Sequence, residues 1–136
     1  MRFERPEDLQ REERAIKKFV SIFSGTYKKL DPWNLDYRIF LNDKFICFVE
    51  VKGRKGRDMD TSYPLPIAIR KLFKMQETKR PCVIIWACTD GIVYGKYKNI
   101  KGSISFGGRK IREGSSNDQE LMAYYDKQEE LKCLRY

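Results

Sequence analysis

With 136 residues and a formal net charge of +9, the chain has the length of one basic domain and is long enough to bury a core. It contains no histidine, which excludes Ser-His and Cys-His triads and His-ligated zinc. Any catalysis must then rest on carboxylates, lysines, tyrosines, thiols or a bound metal, and the charge fits a polyanionic partner, nucleic acid first.

In chain order, residues 6 to 23 predict an amphipathic helix. Pro6 suits a first turn, Glu7 and Asp8 complement the helix dipole, and Leu9, Ile16, Phe19, Val20 and Phe23 share one face before Gly25. Thr26 to Leu30 reads as a short strand and Asp31-Pro32-Trp33-Asn34 as a turn. Two β-rich apolar runs follow, Leu35 to Leu41 and Phe45 to Lys52, joined by Asn42-Asp43-Lys44. The second run is continuously apolar from Phe45 to Val49, as a strand covered on both faces would be. Gly53 to Asp60 is a charged loop. Leu65 to Gln76 predicts a second helix, Cys82 to Thr89 a buried strand, and Asp90-Gly91 a hairpin turn into Ile92-Val93-Tyr94. Ile104 to Phe106 predicts a strand, and Ser116 with Gln119 a capping box for a last helix reaching Leu131.

No apolar run of 18 residues exists and the N-terminus has no secretory apolar core, so no membrane association is expected and the cytoplasm is the expected compartment. Cys47, Cys82, Cys88 and Cys133 have no C-x-x-C spacing and read as reduced thiols. With no repeat or linker, residues 1–136 are expected to form a single α/β domain, a mixed central sheet flanked by helices.

The chemistry concentrates between residues 35 and 53. Glu50 and Lys52 end a buried strand two residues apart, so both side chains take one face. A carboxylate beside the core is costly unless paired or bound to metal. Asp36 begins the preceding strand. With a three-residue loop over Asn42 to Lys44, or an equivalent bulge, Asp36 falls opposite Glu50; with the other register it falls opposite Val49 and on the wrong face. Two carboxylates beside one ammonium make a hard oxygen site of the kind magnesium takes. E-x-K recurs at Glu77/Lys79 and Glu130/Lys132, but those pairs lie at predicted helix ends, where i and i+2 diverge. Glu12 lies near the middle of the first helix's apolar face, with Glu13 at its edge as the alternative.

Asp36, followed by Glu50-Val51-Lys52 and Gly53, resembles the D…(D/E)-x-K signature of the PD-(D/E)XK nuclease superfamily, and the segment Phe106 to Gly114 resembles small phage-encoded members. Leu35 stands where the family often has proline, and Asp31-Pro32 offers Asp31 as a poorer ligand. The resemblance implies a restriction-endonuclease-like αβββαβ core over about residues 7 to 89, with a C-terminal hairpin and helix. It implies a nuclease, most readily a DNA endonuclease, with Asp36, Glu50 and Lys52 catalytic and Mg2+ or Mn2+ held by Asp36, Glu50, the Val51 carbonyl and Glu12. It also implies a lysine or glutamine on the second helix, where Lys71 stands. For a phage protein the compartment would be the host cytoplasm.

Arg54, Lys55 and Arg57 follow the catalytic strand, and six basic residues without an acid run from Lys96 to Arg112, among them Arg109, Lys110 and Arg112. With Lys71 these are the candidate nucleic-acid contacts; Tyr94 and Tyr97 are candidates for stacking on bases. A small nuclease without a clamp domain is compatible with a homodimer. Two other readings stay open: a catalytically inactive nucleic-acid-binding module of the same fold, and an interaction subunit for an acidic protein.

Overall fold

The first helix, α1 (Pro6–Ser21), starts as its sequence dictates: Pro6 occupies the first turn and the Asp8 carboxylate accepts the Arg5 N–H. In this computed structural model, which describes residues 5–31, 34–107 and 120–136, α1 lays Ala15, Ile16, Phe19 and Val20 on one face of a six-stranded sheet. The strands are β1 (Thr26–Lys29), β2 (Tyr37–Leu41), β3 (Lys44–Gly53), β5 (Cys82–Ala87), β6 (Gly91–Lys96) and β9 (Lys132–Arg135), in that spatial order. Only β3 and β5 run parallel; the other neighbours are antiparallel. The sheet is therefore mixed, with β3 and β5 side by side near the middle and β5 buried along its whole length.

The other face packs on a second, three-stranded antiparallel sheet, ordered β4 (Leu65–Ala68), β8 (Glu120–Tyr125), β7 (Ser103–Gly107), together with α2 (Ile69–Glu77). Trp86 of β5 is fully buried between the sheets. Its indole Nε1–H donates to the Pro66 carbonyl at 2.8 Å and its ring meets Tyr125 at 5.7 Å. Alternation along β3 separates the two cores: Cys47, Val49 and Val51 pack toward α1, while Phe48 packs toward α2 and the second sheet.

Three expectations need correction. Leu65 to Ala68 is a strand, so α2 begins only at Ile69; a residue before proline resists helical φ and ψ, and Leu65 precedes Pro66. Pro66, lacking an N–H, sits on an edge strand, where that loss is tolerated. The expected last helix is replaced by β8 and β9, because Met122, Ala123 and Tyr125 bury against strands that are remote in sequence. Its cap, Ser116 and Gln119, lies outside the described residues, as do Gly108, Arg109, Lys110 and Arg112. Finally, the β5–β6 hairpin turns at Thr89-Asp90, with Cys88 N–H bonded to the Gly91 carbonyl at 2.9 Å. Gly91 already belongs to β6. It must be glycine for a different reason: a Cβ there would lie 2.3 Å from the Leu134 carbonyl oxygen of β9.

All four cysteines are free thiols, Cys133 exposed and the rest buried. No helix among the described residues is long and apolar enough to cross a membrane.

Candidate functional site

The register of β2 against β3 decides whether the two acids meet. The connecting loop is two residues, not three: Leu41 pairs with Lys44, and Asn42 and Asp43 take φ of 50° and 61°. Two consecutive positive φ values make the tight turn that matches strand twist, and Asn and Asp are the side chains that tolerate it best after glycine. Alone, this register would send Asp36 to the wrong face. A bulge corrects it: Phe40 pairs with Phe45 but Ile39 pairs with Cys47, so Ile46 is the extra residue. Beyond the bulge Tyr37 pairs with Val49, and Asp36, one residue before β2, falls level with Glu50.

The hydrogen bonds agree. The Val51 N–H donates to Asp36 Oδ2 at 2.8 Å, pinning that carboxylate beside β3. Glu50 is 3% exposed, and its Oε1 receives the Lys71 ammonium at 3.0 Å. Its second oxygen, Oε2, is buried and has no hydrogen-bond partner. Burial first, and then the Asp36 carboxylate, push the Glu50 pKa well above the ordinary range; Lys71 opposes them. Lys52 is half-buried and shares Glu50's face by alternation, level with Trp86 on β5.

An orphaned, buried carboxylate oxygen next to a second carboxylate is the arrangement a divalent cation relieves. Asp36, Glu50 and the Val51 carbonyl offer two carboxylates and one carbonyl oxygen, a hard-oxygen donor set of the kind magnesium takes. Among the described residues no group of three or more acids or thiols forms a cage.

Glu12 is the acid expected to complete the site from α1. It is buried at 8% exposure, as the helical wheel required. Its carboxylate pairs with Lys29 of β1 and lies against the Tyr37 phenol, whose pKa burial and Glu12 push up. Tyr37 packs on the α1 side of the sheet, whereas alternation turns Glu50 to the α2 side. Glu13 is exposed and bonds Lys17.

Lys71, expected from the sequence as a nucleic-acid contact and from the resemblance as the lysine of the second helix, is paired with Glu50 in the structure. With α2 starting at Ile69, Lys71 stands in the first turn and leans over the end of β3, where it also donates to the Asn34 carbonyl at 3.4 Å. The shortened helix was the missing signal.

The basic candidates divide. Lys55 and Arg57 are exposed beyond β3, with the Arg57 guanidinium stacked 3.8 Å from the Tyr63 ring centroid. Arg54 is half-buried, its Nε and Nη2 enclosed without partners, and burial lowers its pKa. Lys96, Lys98 and Lys101 are exposed. The two tyrosines are not free platforms: Tyr94 packs edge-on against Phe19 at 5.5 Å, and the Tyr97 hydroxyl bonds Gln76 at 2.8 Å.

A family model described as "Phage putative PDDEXK endonuclease" matches residues 1–131. The chain belongs to this phage PDDEXK endonuclease family. No curated protein and no solved structure matches it. The match spans the whole of α1 through β8 and so takes in both Asp36 and the Glu50-Val51-Lys52 strand. Membership of this endonuclease family implies a nucleic-acid substrate, and nucleases of the PDDEXK type generally work with divalent metals.

Proposed function

We propose that this PDDEXK protein is a metal-dependent endonuclease that hydrolyses DNA phosphodiester bonds. The observation that carries the reading is Glu50 Oε2, a buried carboxylate oxygen without a partner beside the second carboxylate, Asp36. In this reading Asp36, Glu50 and the Val51 carbonyl hold Mg2+ or Mn2+. Such an ion, when bound, would supply a water of lowered pKa and neutralise charge on the scissile phosphate. Lys52, on Glu50's face of β3, would stabilise the negative charge that develops on the phosphate and orient the attacking water. The Val51 N–H fixes the angle of Asp36 through Oδ2. Lys55 and Arg57, leaving the end of β3, lie where the flanking backbone phosphates would run. Arg109, Lys110 and Arg112 are proposed to extend that contact.

The order α1, β1, β2, β3, α2, β5 supports an αβββαβ core within a single domain, with β4 as an addition that opens the second sheet. DNA is preferred over RNA because the family is a phage endonuclease family. For a phage protein the host cytoplasm is the proposed setting.

The test is cleavage of a substrate panel with Mg2+ or Mn2+: linear, nicked, branched and single-stranded DNA, plus RNA. Metal-dependent cutting of at least one DNA substrate is expected. Salt-sensitive binding without cleavage of any substrate would favour the inactive binding module, and cleavage of RNA alone would move the substrate class.

A further inference from the structure

Glu50 and Asp36 each spend one oxygen on the protein. Asp36 gives Oδ2 to the Val51 N–H at 2.8 Å, and Glu50 gives Oε1 to Lys71 at 3.0 Å. The oxygen left over on Glu50, Oε2, is the buried one without a partner. The ammonium does not cap the carboxylate symmetrically; it takes one oxygen and leaves the other. Lys71 is itself enclosed, its side chain 14% exposed, and its other contact, 3.4 Å to the Asn34 carbonyl, ties it to the segment that leads into Asp36. One side chain from α2 thus bridges the two stretches of chain that carry the acids.

We infer that Lys71 is a positioning residue that fixes Glu50 as a one-oxygen ligand and holds the Asn34–Asp36 segment against β3, and not a contact to the nucleic-acid backbone. The inference rests on reading Asp36 and Glu50 as the metal ligands. A buried ammonium at this distance satisfies half of the Glu50 carboxylate and restrains its rotation, so that Oε2 is kept free of the lysine. Partners that orient ligating carboxylates in this way typically contribute about 10- to 100-fold to metal affinity. A lysine that instead served the substrate phosphate would point its charge outward and change nucleic-acid binding without touching the metal.

The experiment is Mn2+ titration calorimetry on the full chain, with circular dichroism to verify folding. Lys71→Met keeps the stem and removes the donor; it is expected to weaken Mn2+ binding by about 10- to 100-fold. Lys71→Arg, which restores charge and donor, is expected to return to within a few-fold of wild type. The salt slope of DNA binding without metal is expected to stay unchanged in both. If Lys71→Met does not fold, Lys71→Gln, neutral and too short to span the same gap, takes its place with the same expectation. Equal or tighter Mn2+ binding in the neutral variant overturns the positioning role, because the lysine would then act only by repelling the cation. Unchanged Mn2+ binding with a salt slope lowered by about 0.7 to 0.9 also overturns it and assigns Lys71 to a phosphate. Asp36→Asn separates the two levels of the argument: wild-type protein that binds no Mn2+, or binds it equally well in Asp36→Asn, overturns the metal site itself.

Discussion

Among the described residues two glutamates are buried, and each faces a lysine. Glu12 on α1 is 8% exposed and meets Lys29 and Tyr37; Glu50 on β3 is 3% exposed and meets Lys71. Glu12 stands on the helix that covers one face of the sheet, and alternation along β3 turns Glu50 toward the other. The surroundings of Glu12 are what a structural acid needs: a cation from the neighbouring strand and a phenol against the carboxylate. Glu50 has a second carboxylate at its side and an oxygen without any hydrogen bond. Burial of an acid alone does not mark a functional site; burial with unfinished hydrogen bonding, beside a like charge, does.

The largest expected effect separates the two directly. Asp36→Asn and Glu50→Gln should each lower single-turnover cleavage by more than about 100-fold, beyond the loss typical of an outer-sphere partner. Glu12→Gln should lower it by less than about 10-fold. Comparable losses in all three would return Glu12 to the metal site and dissolve the contrast.

Stability should respond in the opposite sense. The folded-state pKa of Glu50 is raised, so the unfolded chain gives up that proton first, and stability falls as pH climbs from the ordinary carboxylate range toward the raised value. In metal-free buffer the melting temperature of Glu50→Gln minus that of wild type should therefore grow with pH over this window. One kcal/mol is worth roughly 2 to 8 °C in a domain of about this size. A difference that stays constant from acid to neutral pH would mean that Glu50 is not strained.

Glu12→Gln is expected to cost about 1 kcal/mol in urea unfolding, since Lys29 is half in solvent and its pair is partly screened. A stability gain would place Glu12 in the same class as Glu50.

The smallest effect concerns the ground on either side of the sheet. Charge reversal at Lys55 and Arg57 should lower the slope of log K against log salt for DNA binding by about 0.7 to 0.9 for each phosphate that is no longer neutralised. Reversal of Lys17, on the exposed side of α1 and paired with Glu13, should leave the slope as it is. Equal changes at both places would mean that the charge acts as a diffuse field.

Much of the site was legible in the sequence because its signals are local. A run of apolar residues ending in Glu50-Val51-Lys52 reads as a covered strand with an acid at its end, and the position of Asp36 follows from alternation once the register is set. What parity could not supply was the mechanism of the register. The tight turn at Asn42-Asp43 was available from residue chemistry, but the bulge at Ile46 depends on how Phe45, Ile46 and Cys47 pack once β3 is covered. Lys71 was obscured by one element boundary: four residues moved from helix to strand, and Pro66 carried the warning. The second sheet was illegible for a deeper reason. Leu121 to Tyr125 has apolar residues compatible with either period, and its partners, β4 and β7, are set by pairings far along the chain. Position along the chain was a poor guide to Glu12 too; the wheel found its burial but could not say which face of the sheet α1 covers.

The bulge at Ile46 has a consequence for how this hairpin can change its length over generations. Facing in a strand counts in twos, so what joins Asp36 to Glu50 is a matter of odd and even. Gain or loss of two residues in the turn keeps the acids together. With the two-residue turn kept, a single-residue change in either strand separates them unless it is the loss of the bulge residue itself, which leaves Leu41 on Lys44, Ile39 on Cys47 and Asp36 level with Glu50. Related chains should therefore differ in this interval by even steps, or by odd steps that erase the bulge, and a variant that breaks this rule would keep the fold while losing the meeting of the two acids.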